Sequence, residues 1–193
     1  MKYELTDETI DVSGTTLHRI KALKDFGNVK KGELGGYVES EYNLSQIGNC
    51  WVYGNARVCG DAELCGNAKV CGKARVCGNA EVCGNAWVYG NAEVCGNAKV
   101  CGNAWVYGNA ELCGNARVYG NADYITIKGL GSRYRDTTIF KTRNEDVVVR
   151  CGCFYGTLTE FVNEVGITHG DSKYAKEYLA LVELAKIHFG IEK

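Results

Sequence analysis

Cysteine is the most frequent residue with reactive chemistry in this sequence, and its spacing is regular. Eleven of the 193 residues are cysteines, and most recur at steps of six in runs such as VCGNAE and LCGNAK. Thiolates can bind soft metal ions or be oxidised to disulfides. The first residues, MKYELTDETIDVSG, lack the apolar core of an export signal. We therefore expect reduced thiols and a cytosolic protein.

A metal or catalytic site built on these thiols would be expected to include histidine as a second ligand or as a base. The three histidines are His18, His169 and His188, and none lies among the six-residue repeats. Cys151 and Cys153 are too close for a CxxC motif, although strand alternation places both on one face. We expect no metal, no cofactor and no catalytic residue in this chain. We interpret the repeated cysteines as compact, weakly polar residues that suit a flat sheet.

The elements that carry these side chains follow from the repeat itself. From Val52 to Asp123 the chain runs VYGNAR VCGDAE LCGNAK and onward without an insertion, and a short fixed period indicates a solenoid. Looser repeats extend the register back to about Leu34. In each repeat Ala and Val alternate with polar residues as in a strand, and Gly-Asn follows where the backbone must turn.

The pattern V-x-G-N-A-x resembles the hexapeptide-repeat superfamily of left-handed parallel β-helices. That resemblance implies a mainly β fold of about five coils, in which three repeats make one coil and residues 18 apart stack at about 4.8 Å. We expect a single-stranded left-handed parallel β-helix over residues 34–123. An N-terminal β cap with a turn at Ser13 and Gly14 would occupy residues 1–33, and a C-terminal α+β tail would occupy residues 124–193.

All three tryptophans open the same hexapeptide, WVYGNA, at positions separated by multiples of 18. Stacking then places them on one wall, while the other two walls carry charged columns that we interpret as solvated surface. Three tryptophans and three tyrosines on one wall would form an apolar patch larger than a soluble monomer usually exposes. We call the wall the aromatic face and predict that it is a binding surface: Trp51, Tyr53, Lys69, Trp87, Tyr89, Trp105 and Tyr107.

The tail has the pattern of a hairpin followed by two helices. TTIFKTRNEDVVVRCGCF predicts strands around a turn at residues 143–146. Thr157 and Glu160 form a capping box before the first helix, and Gly170-Asp171 is expected to end it and to begin the second, at about residues 172–189. That second helix has an apolar stripe, which we expect to be buried on the solenoid or on a partner: Tyr174, Tyr178, Leu181, Ala185 and Phe189.

Several functions remain open for the aromatic face. The flanks, especially LHRIKALKDFGNVKKGELGGYVESEYNLS and VVVRCGCFYGTLTEFVNEV, resemble uncharacterised hexapeptide-repeat proteins of phages and prophages. We therefore expect a non-enzymatic interaction protein that binds or sequesters a bacterial host protein, with self-association into a homo-oligomer or cover by the tail helices as alternatives. A formal charge of −1 gives no reason to expect nucleic acid as a partner. We expect no membrane partner either, because no window approaches the run of about 18 apolar residues that a membrane helix requires. A small nucleotide-like ligand stacked on the rings is a further alternative.

The enzymatic alternative is an acyl- or sugar-nucleotide transferase. Many hexapeptide-repeat proteins are acyltransferases that use a histidine of the coils as general base, and this sequence has no histidine there. A base would have to come from the tail, where Glu160, Glu164 and His169 are the candidates.

Overall fold

The computed structural model describes residues 1–191 and divides the chain into two compact units. The first unit holds Met1–Asn115 together with Tyr119–Asn121. The second holds Ala116–Val118 together with the chain from Ala122 onward. The N-terminal strands and most of the repeats therefore belong to one unit.

The first unit begins with an antiparallel hairpin of β1 (Tyr3–Val12) and β2 (Thr15–Ala22). It turns at Ser13 and Gly14, as predicted, and both residues have positive φ, 56° and 87°. Such turns match the twist of the strands that they join. β3 (Leu34–Val38) pairs antiparallel with β2 and then begins the parallel pairing of the repeats.

The repeats form a β-solenoid of about five turns, which confirms the predicted architecture. Each strand has two residues, and the Ala and Val side chains of the repeats point into the interior, where they are buried. Residues 18 apart are partners in neighbouring parallel strands, so that Trp87 pairs with both Lys69 and Trp105. After a 3-10 turn, η1 (Glu41–Asn43), the strands of this unit are β4 (Trp51–Val52), β5 (Arg57–Val58), β6 (Glu63–Leu64), β7 (Lys69–Val70), β8 (Arg75–Val76), β9 (Glu81–Val82), β10 (Trp87–Val88), β11 (Glu93–Val94), β12 (Lys99–Val100), β13 (Trp105–Val106) and β14 (Glu111–Leu112).

The corners of the coils need glycine for two reasons. The corner glycines from residue 54 to 114 have φ between 60° and 75°, which favours glycine over residues with a side chain. At Gly84 a Cβ would also lie 2.9 Å from the backbone nitrogen of Gly102 in the next coil. Corner asparagines form ladders beside them, and Asn67 Nδ2 donates to Asn85 Oδ1 at 2.9 Å.

The charged columns are paired along the solenoid axis. Arg75 Nη1 lies 2.9 Å from Glu93 Oε1, and Lys99 Nζ lies 2.5 Å from Glu81 Oε2. Both pairs join residues 18 apart and are partly exposed, so each contributes little to stability. Their positions match the predicted charged walls.

The second unit combines an antiparallel sheet with two helices. The sheet has the order β16-β17-β18-β19, and the predicted hairpin at residues 143–146 joins β17 to β18. No helix among residues 1–191 is both long and apolar enough to span a membrane. The elements of this part of the chain are β15 (Arg117–Val118), η2 (Asn121–Asp123), β16 (Tyr124–Leu130), β17 (Arg135–Lys141), β18 (Val147–Cys151), β19 (Phe154–Thr157), α1 (Leu158–His169) and α2 (Lys173–Phe189).

The helix ends follow the predicted caps with one correction. Thr157 Oγ1 accepts from the backbone N–H of Glu160 at 3.2 Å, and Glu160 Oε2 accepts from the backbone N–H of Thr157 at 2.7 Å, which closes the capping box. The second helix is capped by Ser172 and not by Asp171. The reason is spacing, because the Ser172 hydroxyl reaches the backbone N–H of Ala175 in the first turn.

The apolar stripe of α2 packs on the sheet and on α1 of its own unit. Tyr178, Leu181 and Ala185 are buried in this core, and Phe189 packs against it. The prediction that the solenoid or a partner covers this stripe is therefore wrong, because the sheet and α1 of the tail itself supply the covering surface.

Candidate functional site

The exposed part of the aromatic face consists of two pairs of parallel rings on successive coils. The Trp87 and Trp105 rings lie 5.6 Å apart with an angle of 16° between their planes. Tyr89 and Tyr107 repeat the arrangement at 5.5 Å and 18°. We call these four residues the ring stack. Trp105 and Tyr107 are about half exposed, at 47% and 49%.

Lys69 extends the ring stack by one coil. Its Nζ lies 4.6 Å from the centre of the Trp87 ring, within the range of a cation–π contact. The lysine that interrupts the aromatic column therefore places its charge against the Trp87 ring, at one end of the ring stack. The arrangement can present flat apolar surface beside one positive charge.

Trp51 corrects the predicted aromatic face, because it is completely buried. Phe26 and Tyr3 pack edge-on against its ring at 5.3 Å and 6.1 Å. Its Nε1 has no hydrogen-bond partner within the described residues 1–191. Tyr53 is half-buried beside it, and this burial raises the pKa of the Tyr53 hydroxyl. Spacing alone could not reveal this, because the covering residues come from outside the repeats.

The stacked cysteines interact along the solenoid axis. The thiols of Cys59 and Cys95 donate to the sulfur of Cys77, and these hydrogen bonds lower the pKa of the Cys77 thiol. The Arg75 guanidinium acts in the same direction. By contrast, burial raises the pKa of Cys71. The pKa values of cysteines in equivalent slots of the repeat are thus shifted in opposite directions.

Cys83 and Cys101 correct the expectation that all thiols are reduced, because they form a disulfide. They are 18 residues apart and their Cα atoms are separated by 4.6 Å, which lies within the range that a disulfide spans. Cys65, Glu81 and Cys83 also place ligand-type atoms within 4.8 Å of one another. However, the sulfur of Cys83 is bonded to Cys101, and the Glu81 carboxylate is paired with Lys99.

A cavity of about 340 Å³ lies within the second unit and was not predicted. It is formed between the β17–β19 hairpins, α1 and the first turns of α2. Cys151 and Cys153 both line it, in agreement with their predicted common face. The lining residues are Ser132, Arg133, Arg135, Cys151, Cys153, Phe154, Phe161, Glu164, Val165, Thr168, His169 and Tyr178.

Two of the three candidate bases from the tail line this cavity. Glu164 and His169 do so, and the Glu164 carboxylate accepts from Thr168 Oγ1 at 3.0 Å. Glu160 instead belongs to the capping box, and its hydrogen bonds with Thr157 lower the pKa of its carboxyl. Glu164 and His169 follow Phe161 by three and eight residues, so helical spacing could have placed them near one face of α1, but no sequence signal linked them to Arg133 and Arg135.

The polar groups at the floor of the cavity have hydrogen-bond partners. The Tyr178 hydroxyl lies 3.4 Å from the carbonyl oxygen of Leu130 and 3.7 Å from Cys151 Sγ. Thr137 Oγ1 donates to the same sulfur at 3.2 Å. Burial raises the pKa of the Tyr178 hydroxyl. The hydroxyl thus remains neutral and serves to hold the floor.

A second cavity, of about 390 Å³, lies in the first unit. It is lined by Ile10, Tyr37, Asn55, Arg57 and Lys73. Tyr37 Oη is already engaged, since it accepts from Arg19 Nη1 at 2.7 Å and donates to Glu8 at 2.9 Å. Lys73, a second cation of the lining, is exposed.

Comparisons with known proteins support the solenoid and leave the activity open. No family model matches the chain. A segment of 60 residues is 38% identical to the uncharacterized acetyltransferase YdcK of Escherichia coli (strain K12). The match covers 27% of this chain and 18% of the length of that protein. The chain is thus a β-solenoid protein with a distant similarity to an uncharacterized acetyltransferase.

Proposed function

We propose that this protein is a non-enzymatic binding protein that engages a bacterial host protein through the ring stack. The exposed stacking of Trp87 on Trp105 and of Tyr89 on Tyr107 is the observation that carries the proposal. Aromatic residues are enriched at the energetic centres of protein interfaces. Rings held in two rows on a solenoid lose little conformational entropy on binding.

Several further features support a protein as the partner. The four rings form a surface that is flat and open, whereas small ligands usually bind in concave sites. Lys69 adds a positive charge at its edge, which suits an acidic residue at the rim of a partner. The resemblance of the flanks to phage and prophage proteins supports a host component in the bacterial cytosol, and a component of host defence is the class that we put forward.

The first experiment measures the solution mass of the wild type and of the double variant Trp87→Glu/Trp105→Glu by light scattering, with circular dichroism as a check of folding. We expect the same mass for both. A wild-type oligomer that becomes a folded monomer would assign the ring stack to self-association and refute the proposal.

The second experiment captures partners from bacterial lysate with both proteins immobilised. Lys24→Glu is the matched control, because it changes the net charge by the same amount at an exposed position of the same unit. We expect one host protein to bind the wild type and Lys24→Glu but not the double variant, and to bind again when purified. Equal capture by all three proteins would exclude the ring stack as the binding surface.

A second candidate function is acyl transfer in the cavity of the tail. His169 and Glu164 line that cavity, and the similarity to a protein named as an acetyltransferase supports this class of reaction. His169 would act as general base and remove a proton from an amine or hydroxyl acceptor.

An assay with acetyl-coenzyme A and a panel of such acceptors tests this second candidate. Turnover that is abolished in His169→Ala but retained in His188→Ala would establish it in place of the binding function. His188 is a suitable control because it lies in the same unit, outside the cavity, with its ring 3.0 Å from the carbonyl oxygen of Ala122.

A further inference from the structure

Two arginines give the cavity of the tail an excess of positive charge. Arg133 and Arg135 both line it, and neither forms an ion pair with a carboxylate anywhere in residues 1–191. The one carboxylate of the lining, that of Glu164, is engaged with Thr168. The nearby Glu177 carboxylate accepts from the backbone N–H of Gly131 at 3.0 Å. The guanidinium groups are therefore available to an anion from outside.

Backbone shape leaves room for one of these guanidinium groups. Gly152, between the two cysteines, has φ of 60°. A Cβ there would overlap Nη1 of Arg135, so that the arginine side chain would have to move. Gly152 thus allows the positive φ of the turn between β18 and β19 and leaves room for the Arg135 guanidinium.

Aromatic rings form another part of the lining. Phe161 lies 5.2 Å from Phe154 and 5.4 Å from Tyr178, measured between ring centres. The His169 ring lies 5.6 Å from that of Tyr178. Phe161 and Tyr178 are buried and the Tyr178 hydroxyl has its own partners. This part of the lining offers a ligand apolar contact and aromatic edges.

We propose that the cavity binds a small organic anion with a planar apolar body. Its carboxylate or phosphate pairs with Arg133 and Arg135, and its body packs against Phe154, Phe161 and His169. Guanidinium groups bind both kinds of anion through paired hydrogen bonds. The volume of about 340 Å³ lies at the lower end of small-molecule sites, which suits a single ring with one anionic group. The site is independent of the ring stack.

Calorimetric titration of the full chain with two pairs of probes tests the proposal. Benzoate and adenosine monophosphate are the anions, and benzamide and adenosine are their neutral counterparts. We expect at least one anion to bind at least about tenfold more tightly than its counterpart, because a hydrogen bond to a charged group is typically lost with the charge. Binding by benzoate alone would identify a carboxylate ligand, and binding by adenosine monophosphate alone would identify a phosphate ligand.

Variants connect the binding to the cavity. Arg133→Gln/Arg135→Gln should lower the affinity for the anion at least about tenfold. The control Lys128→Gln/Arg143→Gln removes the same charge from exposed positions of the same unit and should leave that affinity unchanged. Gly152→Ala, which displaces Arg135, should lower the affinity for the anion as well. Circular dichroism verifies that each variant folds.

Two results would overturn the proposal. One is that neither anion binds the wild type up to about 1 mM, the range of weak sites. The other is that anion binding is the same in Arg133→Gln/Arg135→Gln as in the wild type. Because the Trp87→Glu/Trp105→Glu variant should bind the anion normally, failure of this site is distinguishable from failure of the ring stack.

Discussion

Trp51 and Trp87 occupy equivalent positions of the same column, yet Trp51 is fully buried and Trp87 is 36% exposed. Both belong to the repeat WVYGNA and both pair in register with Lys69. The difference arises from Phe26 and Tyr3, which pack on Trp51 from the N-terminal part of the chain. The tryptophan of this repeat therefore lies in the core in one coil and on the surface in another.

This difference predicts that the two substitutions destabilise the protein to different extents. Trp51→Ala should lower the free energy of unfolding by about 3–5 kcal/mol, as expected for loss of a buried tryptophan. Trp87→Ala should lower it by about 0.5–1.5 kcal/mol, since it loses mainly the stacked partner. Urea unfolding followed by circular dichroism measures both. Equal losses would show that Trp51 is not covered as described.

The disulfide predicts a thiol count. Nine of the eleven cysteines are free, so the protein denatured without reductant should present nine reactive thiols, and eleven after reduction. The bridge links residues 18 apart, and closing a loop of this size typically stabilises by about 3 kcal/mol. Reduction should therefore lower the unfolding free energy by about this amount.

Two double variants control the disulfide experiment. Cys83→Ala/Cys101→Ala should be insensitive to reductant. Cys77→Ala/Cys95→Ala replaces a stacked pair with the same spacing and no disulfide. Its unfolding free energy should fall on reduction as much as that of the wild type. Eleven thiols before reduction would mean that the bridge does not form.

Cys77 should react with iodoacetamide at lower pH than other cysteines of the solenoid. Its pKa is lowered by the thiols of Cys59 and Cys95, and a lower pKa leaves more thiolate at any given pH. The pKa of Cys71 is raised by burial, so that side chain stays protonated. A short pulse at about pH 6, read by peptide mass spectrometry, should label Cys77 before Cys71.

Removing one donor checks the cause. Cys59→Ala should raise the pKa of Cys77 and slow its labelling in the same pulse. An unchanged rate in this variant, or faster labelling of Cys71 in the wild type, would contradict the role assigned to the stacked thiols.

Lys73 interrupts an asparagine ladder, and its replacement should stabilise the solenoid. Asn91 Nδ2 donates to Asn109 Oδ1 at 3.0 Å in the same column, and Lys73 occupies the slot between Asn55 and Asn91. Lys73→Asn would add amide contacts in both directions and raise the unfolding free energy by about 0.5–1.5 kcal/mol. Lys73→Ala is the control, because it removes the lysine without adding an amide. A melting temperature of Lys73→Asn no higher than that of Lys73→Ala would show that the ladder contributes nothing.

The sequence by itself determined the solenoid, its register and the caps of the first tail helix. These features are local or periodic: Ala and Val alternate within one strand, Gly-Asn sets each corner, and a period of 18 places Trp87 beside Trp105. The Thr157–Glu160 box depends on three residues of spacing. Such information is repeated many times along the chain or lies within one turn.

Only the tertiary structure decided which of these residues are exposed and which meet in a cavity. Trp51 is buried by Tyr3 and Phe26, whose positions bear no relation to the repeat. Arg135 and His169 come together because a hairpin and a helix pack on one core, and neither residue has a periodic partner in the sequence. Contacts between distant segments depend on packing, and a local pattern carries no record of that packing.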